Sequence, residues 1–281
     1  MKKIISIALT FVMLASIVFC FASCNGSKEQ VKLVNIGLTE EEYAFAMKLD
    51  NTELQASFNE YLAEIKANGT FDAIMAKYFQ NEGEKVGYSY VGDGSAANAD
   101  GTTGEGKFVV ATNCPFSPFE YVDGGKIYGV DMEIAAGYAE KHGLELVIKN
   151  IDFDAILPAL DAGYADIGMA GMTVTADRAG YLFTDKYYNA SLNVIVAADN
   201  TDFDNCKTRE DVENVLAGLS GKKIGYQTGT TAVDYVGGFE NIEGVSYDTA
   251  ALATYDLVNG NLYAVIVDNA PAADIVNSYN Q

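Results

Sequence analysis

Apolar positions along this chain change their period several times, and the changes mark its elements. Leu54, Phe58, Leu62 and Ile65 recur at helical spacing behind Asp50-Asn51-Thr52-Glu53, which has the form of a capping box, and Asn68-Gly69 stops the run. Thr70 then opens a shorter helix with Phe71, Ile74, Tyr78 and Phe79 on one side, so a helix pair is expected. Between Gly83 and Gly106, glycine is mixed with Ser, Ala, Asn and Asp. Such a stretch buries too little apolar area to offset its ordering, which predicts a flexible linker over 83–106.

After the linker, strand-like runs at 108–112, 144–148 and 166–170 alternate with helical runs at 130–142 and 154–162. The pattern resumes with strands at 223–226 and 264–267 and helices at 231–235 and 250–259. Alternation of this kind predicts βαβ units gathered into two α/β lobes. The lobes rhyme: Leu160-Asp161-Ala162-Gly163 precedes a strand ending at Gly171, and Leu257-Val258-Asn259-Gly260 precedes one ending at Asp268. Open α/β sheets bind ligands beyond the carboxyl ends of their strands, so Gly171 and Asp268 are expected at a shared cleft.

Composition narrows the function. Met1-Lys2-Lys3 followed by an apolar run from Ile4 to Phe21 is the layout of a secretory signal peptide, expected over 1–23. No later run reaches the ~18 apolar residues needed to cross a bilayer. With 18 basic residues against 39 acidic ones and a net charge of -21, the surface repels phosphate backbones, and nucleic acid is not expected as a partner.

Catalysis finds little support. His142, the single histidine, stands beside Gly143 at a helix end, and there is no Cys/His set or nucleophile motif. No catalytic residue, metal or cofactor is therefore expected. Gly218-Leu219-Ser220-Gly221-Lys222-Lys223 lacks the spacing and the hydroxyl of a phosphate loop, and Asp93, Asn98 and Asp100 lack the spacing of a calcium loop. Cys20 and Cys24 fall in the export segment, which leaves Cys114 and Cys206 as the candidate disulfide.

Five motifs in order carry a resemblance. They are Ala111-Thr112-Asn113-Cys114-Pro115-Phe116-Ser117-Pro118-Phe119-Glu120-Tyr121, Gly129-Val130-Asp131-Met132-Glu133, Asp152-Phe153-Asp154, Gly171-Met172-Thr173-Val174-Thr175-Ala176-Asp177-Arg178 and Gly225-Tyr226-Gln227-Thr228-Gly229-Thr230-Thr231. The set resembles the polar amino-acid solute-binding proteins of bacterial ABC importers. That resemblance implies an α/β, two-lobed clamshell of the periplasmic-binding-protein-like kind with mixed, mostly parallel sheets.

It also implies roles. Arg178 would grip the α-carboxylate of a free amino acid, joined by the N–H groups of Thr173 and Thr231, because a guanidinium meets a carboxylate bidentately. Asp268 would hold the α-ammonium with the Thr173 hydroxyl and the Gly171 carbonyl. Phe116 and Phe153 would sandwich the side chain, and Gly229 and Thr230 complete the second lobe's loop. Asn113 stands where the family often has an acid, which favours a neutral polar ligand. Phe21-Ala22-Ser23-Cys24 resembles a lipobox, making Cys24 the lipidated residue.

The order of the pieces is unusual. Leu38-Thr39-Glu40-Glu41-Glu42-Tyr43-Ala44-Phe45-Ala46-Met47, the stretch 51–69 and Thr70-Phe71-Asp72-Ala73-Ile74-Met75-Ala76-Lys77-Tyr78-Phe79 resemble the family's closing strand and helices, here at the front. The resemblance thus implies a circular permutation, with a fragment of a tandem array or a domain-swapped partner completing the fold as the alternatives. Residues 24–30 would form the tether, 31–42 with 195–281 one lobe, and 43–82 with 107–194 the other. Hinges are expected at 43–47 and 193–197.

The expected protein is an exported, lipid-anchored monomer on the outer face of the cell membrane, delivering a free amino acid to an ABC permease and ATPase. A prephenate-type dehydratase on the same scaffold and a ligand-sensing subunit are the other two readings.

Overall fold

Val-Lys-Leu-Val at 31–34 places Val31 and Val34 in the interior and leaves the residues between them partly covered, and the first strand among the described residues forms there. The structure, a computed structural model, describes residues 29–95 and 103–281. The expected signal peptide and the Cys24 lipid site lie outside the described residues.

In chain order, β1 (Val31–Val34), β2 (Glu41–Tyr43) and β3 (Ala46–Lys48) precede helices α1 (Thr52–Ala67) and α2 (Thr70–Phe79). Next come β4 (Lys107–Thr112), the hairpin of β5 (Tyr121–Asp123) and β6 (Lys126–Tyr128), α3 (Val130–His142) and β7 (Glu145–Asn150). They are followed by α4 (Ile156–Asp161), β8 (Ile167–Gly168), β9 (Tyr181–Phe183), β10 (Tyr188–Ala190) and β11 (Leu192–Ala197). The last stretch holds α5 (Arg209–Ala217), β12 (Lys222–Gln227), α6 (Thr231–Gly237), β13 (Ile242–Tyr247), α7 (Ala250–Val258), β14 (Ala264–Asp268) and α8 (Asn269–Tyr279).

Two five-stranded sheets result, ordered β7-β4-β8-β3-β9 and β1-β11-β14-β12-β13, and each forms the centre of one lobe. In each sheet two pairings are parallel and two antiparallel, so the sheets are mixed in equal measure rather than mostly parallel. β14 is buried along its whole length, as expected of a strand covered on both faces. Val265 and Val267 face a cluster with Ala253 and Leu257 of α7, while Ala264 and Ile266 face another with Val212 and Leu216 of α5. β3 plays the same part in the first lobe. Its Met47 meets Phe58 of α1 on one side, and Ala46 meets Ile156 and Leu160 of α4 on the other.

Several expectations are corrected here. The lobes exchange chain through a two-stranded antiparallel ladder, β2 with β10, in which Tyr43 pairs with Tyr188 and Glu41 with Ala190. The crossing thus falls at 41–43 and 188–190, because β3 already belongs to one sheet and β11, from Leu192, to the other. The expected capping box before α1 does not form: Asn51 precedes the helix without a side-chain bond, and Asp50 sits 3.6 Å from Lys48. A capping box exists instead at α5, where Asp211 N–H donates to Thr208 Oγ1 at 3.2 Å and Thr208 N–H donates to Asp211 Oδ2 at 2.9 Å.

The expected linker is partly docked. Tyr88 exchanges two backbone bonds with Ile127 (2.8 and 3.0 Å), Val91 bonds Ile148 and Asn150, and Gly94 N–H donates to Asn150. Residues 96–102 lie outside the described stretch. Cys114 is buried, Cys206 is partly exposed, and both are free thiols. At the far end of the second lobe, Gln30 N–H donates to Asn280 Oδ1 at 2.9 Å and Asn280 Nδ2 donates to Val31 O at 2.9 Å, so the two ends of the described chain are clasped side by side. No helix among the described residues is long and apolar enough to cross a membrane.

Candidate functional site

The loops after β4, β7, β8 and β12 and the end of β14 converge between the lobes. Each follows a strand's carboxyl end, where backbone groups leave the ladder and side chains are free to point inward. Asn113, Phe116, Phe153, Gly171, Thr173, Arg178, Thr230, Thr231 and Asp268 all line one cavity there. Gly229 joins them by accepting a bond from Arg178. Every residue singled out for binding in the described sequence therefore reaches the same place. The cavity holds about 320 Å³ outside all atoms, yet the centre of a water molecule fits in only about 10 Å³ of it.

Arg178 lies at the end of a short turn after Thr175 and is buried. Its guanidinium donates to Thr173 O at 2.6 Å in its own lobe and to Gly229 O at 3.0 Å in the other, and it lies 5.5 Å from the centre of the Phe153 ring. No ion pair ties it to Asp177 or Asp185 among the described residues. Burial lowers its pKa, and the nearby Glu41 and Asp268 carboxylates work against that shift. A buried guanidinium held by backbone carbonyls keeps its remaining N–H groups for an anion.

Asp268 closes β14 and is buried, with Oδ1 lacking any hydrogen-bond partner. Burial first, then the Glu41 carboxylate, push its pKa up to about 7. A carboxylate in that condition gains from a cation. Gly171 has φ +54°, and a Cβ there would lie 2.5 Å from the Phe116 ring, so only glycine lets the loop after β8 pass beneath that aromatic.

Asn113 and Gln227 meet across the cleft. Gln227 Nε2 donates to Asn113 Oδ1 at 2.7 Å, and Asn113 Nδ2 donates to Ile151 O at 2.7 Å. Both amides are buried. Glu120 also lines the cavity, fully buried and without a partner on either oxygen, and burial followed by the Asp131 charge raises its pKa.

Three residues that line the cavity, Glu120, Ala170 and Gln227, and one just behind it, Glu41, were absent from the set expected from sequence. Gln227 carried a signal in its motif, and Glu120 follows Phe119 in the first motif. Glu41 carried none. Its carboxylate accepts from the hydroxyls of Thr39 (2.9 Å), Thr173 (2.5 Å) and Thr231 (2.9 and 3.1 Å). The partners lie 132 and 190 residues away in the case of Thr173 and Thr231.

Residues 108–265 match the family model of bacterial extracellular solute-binding proteins, family 3. The arginine-binding extracellular protein ArtP of Bacillus subtilis is 31% identical over 136 residues, 48% of this chain and 49% of that protein, so the chain spans about half the length of that curated relative. The structure of arginine-bound, truncated ArgBP from T. maritima aligns with a TM-score of 0.54 and 32% identity, over 62% of this chain and 78% of that one. The ancestral amino-acid-binding protein AncCDT-1, a precursor of cyclohexadienyl dehydratase, aligns with a TM-score of 0.55 and 29% identity, over 62% of this chain and 75% of its own.

Proposed function

The chain belongs to the bacterial extracellular solute-binding proteins of family 3, and on that premise we propose that it captures a free amino acid between its lobes and presents it to an ABC permease and ATPase. One observation carries the reading: a buried guanidinium and a buried carboxylate with one partnerless oxygen line the same cavity. A zwitterion satisfies both, with its α-carboxylate on Arg178 and its α-ammonium on Asp268.

Phe116 and Phe153 supply flat contact area for the side chain. The Asn113–Gln227 amide pair supports a polar, uncharged side chain. Because the cleft as it stands admits about one water, the ligand enters with the lobes apart and the β2/β10 ladder bends to let them close. Export by the 1–23 signal and lipidation at Cys24 would hold the protein at the outer face of the membrane as a monomer.

The front segment reads as the relatives' closing elements transposed. Two observations support this: the family match begins at residue 108, and β3, which precedes it, pairs inside the same sheet as β4 and β8. A dehydratase is the second reading, favoured by the likeness to AncCDT-1 and by a buried carboxyl, Glu120, in the cleft.

Thermal-shift and calorimetric screening of the mature protein against the twenty standard amino acids and cystine tests the proposal. At least one should stabilise the protein, and Arg178→Ala should weaken its binding about 100-fold or more, as loss of one member of a buried charge pair does. No response to any of them would end the proposal. Turnover of prephenate would replace it with the enzyme.

A further inference from the structure

Glu41 is the least expected member of the site. It is buried on the hinge strand β2, between the cavity and a surface groove lined by Thr39, Glu40, Glu42, Asn189 and Ala190. It does not line the cavity itself. It reaches the cavity through two threonines: Thr173 Oγ1 of the first lobe donates to Oε2, and Thr231 Oγ1 of the second donates to both carboxylate oxygens. Both threonines do line the cavity.

A hydroxyl has one proton and two lone pairs. Once its proton is given to Glu41, only acceptor capacity is left to face a ligand. We infer that Glu41 is a positioning residue: it takes the protons of the Thr173 and Thr231 hydroxyls and so makes the adjoining end of the cavity specific for a protonated α-amine. This rests on the amino-acid reading and deepens it. An ammonium offers three N–H donors and a charge, which suit two hydroxyl lone pairs and the partnerless Oδ1 of Asp268. An α-hydroxy acid of the same side chain brings one donor and no charge.

Glu41 draws these hydroxyls from opposite lobes, so both are turned as acceptors only when the cleft is closed. Recognition of the amine and closure of the hinge are then one event. The Glu41 carboxylate also adds negative charge beside Arg178 and Asp268, as its influence on both groups shows. A ligand bearing an ammonium offsets that charge, and a neutral substituent does not.

The test compares wild type with Glu41→Gln. The amide nitrogen donates where the carboxylate accepted, which releases a threonine proton to turn toward the cavity and meet the ammonium hydrogens. The probe is the standard amino acid, or cystine, with the largest wild-type thermal shift, paired with the α-hydroxy acid of identical side chain. Calorimetry should show amino-acid affinity reduced about tenfold or more in the variant. Affinity for the hydroxy acid should change less than about threefold, so the preference for the amine collapses.

Equal losses for both probes would make Glu41 a mere clasp between lobes and overturn the inference, as would no loss at all. Circular dichroism and a cooperative melt confirm that the variant folds. If it does not, Glu41→Asp, which keeps an acceptor on a shorter arm, is read by the same ratio. If wild type binds no amino acid, the functional reading fails and this inference falls with it. If wild type binds and the ratio is unchanged in the variant, only the inference falls.

Discussion

Asp268 concentrates the tension between stability and binding in one side chain. Its pKa is pushed up to about 7 by burial and by Glu41, whereas an unfolded aspartate titrates near ~4. Between about pH 4 and pH 7 the folded protein therefore keeps a proton that the unfolded chain has shed, and stability contributed by this group falls as pH rises through that window. A bound ammonium favours the ionised form. Amino-acid affinity should thus rise from about pH 6 to pH 8, and binding below pH 7 should release protons, which calorimetry in buffers of different ionisation enthalpy detects. Asp268→Asn should melt about 2 °C or more above wild type at pH 8 while losing its ligand response. A variant that melts lower and still binds would contradict both halves. Arg178 and the aromatic pair were legible in the sequence because each sits in a contiguous motif whose order carries the resemblance, and Asp268 because it ends a strand-like run that rhymes with the one ending at Gly171. Glu41 was not, since its meaning depends on hydroxyls that folding brings in from 132 and 190 residues away.

Several helices and long strands, α1 and β4 among them, declared themselves through periodicity; α5, β11, β13 and the shortest elements did not. α1 was visible as an apolar stripe, and its Phe58 is fully buried against Phe108 and Tyr138 with ring centres 6.1 and 4.6 Å apart. Phe58→Ala should cost about 3–5 kcal/mol in denaturant unfolding, because the surrounding rings cannot close the space left behind. A loss below about 1 kcal/mol would mean that α1 is only loosely docked. The hinge strands β2 and β10, of three residues each, are too short to show a period, which is why the crossing was expected several residues from where it lies. Alternation within them matters all the same. Glu41 and Tyr43 point inward and Glu42 outward, so one side of a three-residue strand serves the cleft and the other faces solvent. Docking of residues 88–94 also escaped composition, since glycine-rich chain can pair through backbone groups alone.

Across the whole molecule, the clasp at Gln30, Val31 and Asn280 invites a direct test of the transposed order. Opening the chain within 96–102 and joining Gln281 to Gln30 through about four flexible residues should give a folded monomer melting within about 5 °C of the parent, because closing so short a loop between adjacent ends costs little. An obligate dimer from the parent chain, with no folded monomer, would point to exchanged segments instead. The same clasp has a mechanical meaning. A pull applied ahead of Gln30 would first meet the Asn280 side chain, which bonds the backbone on both sides of the Gln30–Val31 link, and only then peel β1 from β11, pair by pair from Val31 opposite Ala197. Load taken up there ends in the second lobe's sheet and in α8, which packs on β1 and β11. If the chain were tethered ahead of Gln30 as proposed, the hinge ladder would lie off that path and the first lobe would be left to swing as a free arm on an anchored base.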